Sequence, residues 1–318
     1  MTAVHPPAAS HHVDLSDGGG EVHYLDFGGP DRDRDTSAPG RPPIVLVHGL
    51  GGSALNWLRI GPALADRTRV MAVDLPGFGL SFPRGRSGSI GANTNVLDRF
   101  IRTVTGGRAV IVANSMGGLV SMRQASRHPE TVAGLALLDP VLPRPKGAKL
   151  DRQVAAVFLL YLTPLIGSRF LASRRAQLSP RQTVLDTLTL CCVDPAAVPA
   201  EFIDAAVLQA ERRRVAGDGF TPGQLDVAFL QAARSLIRAG ARRNAYTEMM
   251  RGIIAPVVLL HGEKDRLVPV ASARAAAAAL PGWTYHEYAN VGHVPMIEIP
   301  DEVVARVDEL LAVVAAAG

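Results

Sequence analysis

Cysteine is nearly absent. Cys191 and Cys192 are the only two in 318 residues, and they are adjacent, a spacing that suits neither a disulfide framework nor a metal site. No stretch approaches the roughly twenty uncharged apolar residues that a membrane span needs. The N-terminus, MTAVHPPAASHHVDL, lacks the basic start and apolar centre of a signal peptide. The expected setting is therefore reduced and cytoplasmic. Internal repeats and nucleic-acid modules are missing too. The pI of 9.4 comes from arginines with few interleaved aromatics, so nucleic-acid binding is not expected. His11 and His12 have no partner at ligand spacing, and neither a metal nor a cofactor is expected.

What remains is a globular composition, 47% hydrophobic and 19% charged. The length suits one core with an inserted subdomain. Charge is unevenly spread: residues 141–252 carry 16 Lys+Arg against 9 Asp+Glu, and the rest of the chain 17 against 20. A solvated arginine-rich surface is the expected reading of the basic middle, ahead of anionic substrates or a weak contact with a lipid surface.

Residues 1–12 read as disordered, and residues 1–20 as a flexible start running into the first hairpin. HVDLS and EVHYLDFG, joined by Asp17-Gly18-Gly19-Gly20, form that β-hairpin. GGPDRDRDTSAPGRPP is a surface loop. IVLVHGLGG (44–52) is an apolar strand ending in a glycine loop, followed by a helical segment with Ser53 as N-cap. RVMAVDLPGFGLS (69–81), RAVIVAN (108–114) and VAGLALLDP (132–140) are further buried strands, with helices between them at about 93–105 and after Ser115. Apolar strands alternating with helices mean a mostly parallel, doubly wound α/β sheet. From 141 to 252 that rhythm gives way to helical segments near 151–163, 180–191, 200–216, 223–239 and 241–251. It resumes with APVVLLHGEKD (255–265), an alanine-rich helix around 271–280, WTYHEYANVGH (283–293) and a last helix from Pro300. The expected organisation is a core of residues 21–140 and 253–318, with 141–252 inserted as a helical lid over the carboxyl edge of the strands, where such sheets bind ligands.

At Ala113-Asn114-Ser115-Met116-Gly117 a buried strand breaks abruptly into a helix. A serine among small residues on such a turn has its hydroxyl lifted clear of the backbone, as a nucleophile needs. Serine reacts only when a base takes its proton and a third group orients the base. Among the nine histidines, His293 alone falls on a loop after the last strand. His48 and His261 are expected to be structural, and His23, His128 and His286 have no catalytic context. For the acid, Asp265 in HGEKDRLVP is favoured over Asp139, which also ends a strand, and over Glu263. An oxyanion needs preorganised donors: the Met116 amide at the start of the elbow helix, and a second from the glycine loop, with Leu50 ahead of Gly49 or Gly51. The apolar stretch VFLLYLTPLIG (157–167) either lines an acyl pocket or packs the lid on the core, with Phe202, Met249 and Met250 as further candidates.

Taken together, HGLGG, DLPGFGLS, VANSMGG, HGEKDRLVP and NVGHVPMIEIP closely resemble the α/β-hydrolase fold superfamily over about residues 20–140 and 253–316. The resemblance implies Ser115 as nucleophile, Asp265 as acid, His293 as base and 141–252 as cap. Ala113 stands where the pattern usually has glycine. Asn-Ser-Met-Gly-Gly is similar to the elbow of carbon–carbon bond hydrolases and related esterases, although HGLGG lacks their glycine–proline signature. Epoxide hydrolases and haloalkane dehalogenases of this fold use aspartate at the elbow, which Ser115 excludes. The expected activity is cofactor-free serine hydrolysis of a small-molecule carboxylic ester with an apolar or lipid-like acyl group. Carbon–carbon hydrolysis or acyl transfer on the same triad is the alternative, and a noncatalytic ligand receptor the alternative of another class.

Overall fold

A computed structural model describes residues 8–15, 20–30, 41–215 and 220–317. Runs without a polar side chain become central strands, because a strand covered by helices on both sides buries every residue. The strands are β1 (Ala9–Leu15), β2 (Gly20–Gly28), β3 (Ile44–Val47), β4 (Val70–Val73), β5 (Ala109–Asn114), β6 (Val132–Leu138), β7 (Val257–Gly262) and β8 (Thr284–Tyr288). All residues of β3 to β7 are buried. The strands make one sheet in the order β1-β2-β4-β3-β5-β6-β7-β8. β1 and β2 pair antiparallel, as do β2 and β4, and the remaining pairs are parallel.

In the core, α1 (Gly61–Ala65), α2 (Ile90–Val104) and α3 (Met116–Arg127) precede β6. Six helices then fill the connection from β6 to β7: α4 (Arg152–Leu162), α5 (Pro164–Gln177), α6 (Pro180–Cys191), α7 (Ala200–Arg214), α8 (Pro222–Ala241) and α9 (Arg243–Arg251). α10 (Val270–Ala279), α11 (Pro295–Glu298) and α12 (Pro300–Ala317) complete the chain. One face of the sheet is covered around Phe100, Leu119 and Ala273, the other around Trp57, Leu64 and Leu310. The architecture is the expected α/β sheet with an inserted helical cap.

Three expectations change. Disorder over residues 1–12 does not extend to Ala9–His12, which lie in β1 opposite Asp26 to His23. The apolar edge of β2 needs a partner, and β1 supplies it. Residues 1–7, the Asp17-Gly18-Gly19 turn and residues 31–40 of the following loop lie outside the described residues. The segment after Ser53 is a short 3₁₀ turn, Ala54–Trp57, before α1, although Ser53 does cap it. Finally, the expected segment 151–163 is present as α4, but a helix follows it that was not expected. Thr163 is extended and Pro164 opens a further helix, α5, at 116° to α4. Proline suits the first position of a helix because that N–H has no intrahelical acceptor anyway. No single described helix is long and apolar enough to cross a membrane.

Candidate active site

Ser115 sits where β5 turns into α3. Its φ of 54° and ψ of −116° are strained for a residue with a side chain. Main-chain bonds hold the turn: Ser115 N–H donates to Leu138 O (3.1 Å), and Val141 N–H donates to Ser115 O (3.1 Å). α3 crosses very close to the preceding loop. A Cβ on Gly117 would lie 2.3 Å from Val47 O and 2.5 Å from His48 O, so only glycine allows that approach. Ala113, in place of the usual glycine, is buried between Val47 and Leu137 and leaves the turn intact.

The glycine loop after β3 lies directly against the serine. Gly52 N–H closes a turn on Gly49 O (3.1 Å), which leaves Leu50 and Gly51 at its tip. Gly51 has φ 77°, the left-handed conformation such a turn requires at that place. A Cβ on Gly49 would sit 3.0 Å from Ser115 Cβ. The Met116 amide, opening α3, belongs to the first helical turn, whose N–H groups have no acceptor within the helix and carry its positive end.

His293 and Asp265 meet across the loops after β8 and β7: His293 Nδ1 donates to Asp265 Oδ2 (2.7 Å). Asp265 Oδ1 accepts Leu267 N–H (2.7 Å) and Val268 N–H (2.9 Å), which fixes the carboxylate's orientation. Burial alone would push this carboxyl up. The charge and hydrogen bond of His293 oppose it and hold Asp265 below its ordinary value.

The loop carrying His293 is fastened by residues that the motif reading passed over. Asn114 Nδ2 donates to His293 O (2.9 Å) and Leu138 O (3.0 Å), so the residue before the serine ties the elbow to the histidine. His293 N–H donates to Cys191 O at the end of α6 (2.7 Å). Glu298 accepts from Gly292 N–H and from Val193 N–H, each at 2.8 Å. The cap and the core therefore hold this loop jointly. Only a carboxylate close after the histidine in NVGHVPMIEIP hinted at the Glu298 strap.

Asp139, the rival acid, lies in the same cluster, with φ 44° at the end of β6. Its Oδ1 accepts Gly262 N–H (2.9 Å), whereas Oδ2 is buried without a partner among the described residues. Burial, and then the negative charge of Asp265, push its pKa up from the ordinary carboxylate value. His261 donates from Nε2 to Val268 O (2.9 Å), with Asp139 Oδ1 at 3.5 Å and Asp265 Oδ2 at 3.6 Å. Asp139, Asp265 and His293 place potential metal-ligating atoms within 4.8 Å of one another. Both Asp265 oxygens and His293 Nδ1 are committed to N–H···O bonds. Glu263 is exposed and stays outside the cluster. His48 is structural, its Nε2 accepting Leu75 N–H (3.0 Å).

Ser115, His293 and Leu50 line one cavity of about 840 Å³ between the strand ends and the cap. Its apolar wall includes Phe158, Leu171, Leu188, Phe202, Leu225 and Phe229. Of the candidate stretch 157–167, Phe158 faces the cavity, while Leu159, Leu162 and Leu165 are 65%, 40% and 73% exposed. Met250 is buried in the core and Met249 packs against it. Six arginines also line the cavity: Arg144, Arg174, Arg175, Arg213, Arg214 and Arg243. The cap's basic residues are thus not simply a solvated outer surface.

A second histidine–aspartate pair was hidden in the sequence. His23 Nδ1 donates to Asp74 Oδ2 (2.7 Å), and Ser10 Oγ lies 2.8 Å from His23 Nε2. Asp74 also accepts Ala54 N–H (2.6 Å) and Leu80 N–H (2.7 Å). It therefore fixes both loops, HGLGGS and DLPGFGLS, at the cavity's edge. Nothing in the spacing of His23 and Asp74 along the chain signals the contact.

A family model for the alpha/beta hydrolase fold matches residues 42–300. The chain belongs to that family. It is 27% identical over 278 residues to the pimeloyl-[acyl-carrier protein] methyl ester esterase of Aromatoleum aromaticum, covering 85% of this chain and 98% of that one. It is 27% identical over 292 residues to the dihydrolipoyllysine-residue acetyltransferase component of the acetoin cleaving system of Pseudomonas putida, which covers 90% of this chain. It spans only 65% of that protein's length. Among solved structures, a bacterial membrane phospholipase A superposes with a TM-score of 0.69 at 26% identity, covering 97% of this chain and 87% of that one.

Proposed function

We propose that the protein hydrolyses carboxylic esters through Ser115, His293 and Asp265. The observation that carries this reading is the joint placement of a serine on a strained strand-to-helix turn and a 2.7 Å His293–Asp265 pair on the wall of one largely apolar cavity. In the proposed mechanism Ser115 Oγ attacks the ester carbonyl while His293 Nε2 takes its proton. Asp265 holds the imidazolium in place. The amides of Met116 and Leu50 stabilise the tetrahedral oxyanion. The proton then passes from His293 to the leaving alcohol, and water, activated by the same histidine, releases the acyl group.

The apolar wall supports a lipid-like or moderately bulky acyl group. The names of the methyl ester esterase and the phospholipase A point the same way. Cys191 and Cys192 are free thiols, consistent with action in a reducing cytoplasm. The exposed Leu159, Leu162, Leu165 and Ile166 at the α4–α5 bend favour contact with a lipid surface, which sedimentation with vesicles would test. The test of the activity is labelling by a fluorophosphonate probe together with hydrolysis of 4-nitrophenyl octanoate. Both should disappear in Ser115→Ala, and full labelling of that variant would refute the assignment. The acetyltransferase relative favours a second reading, acyl transfer by the same residues. An alcohol or thiol acceptor added in competition with water would then give transfer product in place of free acid.

A further inference from the structure

The cavity carries more positive charge than its own structure uses. Asp226 is the one carboxylate among its described lining residues apart from the six arginines and His293. That carboxylate is engaged by Arg175, whose Nη1 donates to both oxygens (2.7 and 2.6 Å). Arg174 pairs with Asp186 at 3.1 Å. Arg213 donates to Gly77 O (2.8 Å) and Gly79 O (2.5 Å), and Arg214 to Leu178 O (2.6 Å). Carbonyls orient these two guanidinium groups but do not neutralise them. The guanidinium groups of Arg144 and Arg243 have no hydrogen bond or ion pair among the described residues.

These last two lie close in the fold to the candidate nucleophile. Val141 N–H is bonded to Ser115 O (3.1 Å), and Arg144 follows three residues later, within about 10 Å of chain. Tyr246, one helical turn after Arg243, donates its hydroxyl to the carbonyl of the same Val141. A substrate filling the cavity displaces water from half-buried Arg243 and from the cavity side of the exposed Arg144. A neutral ester leaves them with less solvation and no counter-charge, which is unfavourable, whereas a carboxylate or phosphate on the substrate supplies planar, charge-assisted hydrogen bonds.

We propose that the cavity selects esters bearing an anionic group, a carboxylate or a phosphate, which Arg144 and Arg243 bind while the ester carbonyl lies at Ser115 and the apolar chain lies against Phe158 and its neighbours. This rests on the hydrolytic reading above and adds the substrate class to it. The overall cap charge does not carry this by itself; the unpaired guanidinium groups of Arg144, exposed at the cavity's margin, and of half-buried Arg243 do.

The test compares matched esters on the purified protein. The mono-4-nitrophenyl ester of octanedioic acid is set against 4-nitrophenyl octanoate, and 1-octanoyl-glycerol 3-phosphate against 1-octanoyl-glycerol. In at least one pair kcat/KM should favour the anionic ester by about tenfold or more at low salt, with the preference shrinking as salt is added. The pair showing it identifies carboxylate or phosphate. In the double variant Arg144→Gln/Arg243→Gln that ratio should fall toward one. A wild-type ratio of one or less in both pairs, or a ratio that the double variant leaves unchanged, overturns the proposal. If no ester is turned over, the hydrolytic reading falls, and calorimetric titration with octyl phosphate and octanoate decides this proposal on its own. Binding that the double variant loses supports it; absent or equal binding overturns it.

Discussion

Two buried histidine–aspartate pairs in this protein have the same 2.7 Å length, each aspartate accepts two main-chain amides, and each pair has a serine in the same cluster or cavity, yet the settings of the two serines differ. His23 and Asp74 lie under the β1–β2 edge. Ser10, which meets His23, is an exposed residue in an ordinary extended strand. Asp74 there serves main-chain amides of two loops. Ser115 instead occupies a left-handed turn at a helix N-terminus, against a glycine loop, inside a cavity shared with His293. A hydroxyl, an imidazole and a carboxylate close together thus occur twice in this fold, and only one set borders the cavity. The strained turn at Ser115, the helix-start amide and glycine loop beside it, and the cavity distinguish the candidate site from the tether.

Removing each member in turn sharpens that contrast. The largest effect is expected from Ser115→Ala, which should lower ester turnover by about 10⁶-fold, whereas Ser10→Ala should leave turnover and probe labelling within about twofold. Labelling that survives in Ser115→Ala and vanishes with Ser10→Ala would invert the two roles. Asp265→Asn should lower kcat by about 10⁴-fold, and Asp139→Asn by far less. Steady-state kinetics of the two variants side by side identify the acid. On the tether, His23→Ala removes one of the three hydrogen bonds to buried Asp74 and should reduce the unfolding free energy by about 2 kcal/mol, read by urea denaturation. kcat/KM of the folded fraction should change much less than in Asp265→Asn.

The smaller effect concerns pH. Asp139 has a raised folded-state pKa, so the folded chain keeps a proton that the unfolded chain releases near pH 4. Its stabilising contribution is full below that pH and is lost as pH rises through the folded value. Asp139→Asn removes the titration. The variant should gain stability relative to wild type between acid and neutral pH, and a melting-temperature series across that range would show it. Equal slopes for the two proteins would mean that Asp139 is ionised in the folded chain.

The buried strands were readable because an apolar run without alternation admits few other structures, and the elbow because a serine among small residues interrupts such a run. The fold and its cap followed from that rhythm. The end of the segment at 163 was legible, but α5, which starts at Pro164, was missed, because its mixed apolar and arginine-rich sequence shows no clear helical face. The start of the chain was misread for a different reason: Ser10, His11 and His12 are polar, as an exposed edge strand permits, and composition cannot separate that from disorder.

By itself the sequence determined the order of strands and helices, the family and the short motifs at the strand ends, because each of these depends on neighbours within a few residues. Only the tertiary structure decided which groups meet. The Asn114–His293 and Cys191–His293 bonds, the Glu298 strap, Asp139 beside Asp265 and the arginines along the cavity all bring together residues distant in the chain. Burial and the proximity of other charges set what such groups can do, and both arise only when the sheet edge and the cap close on one another.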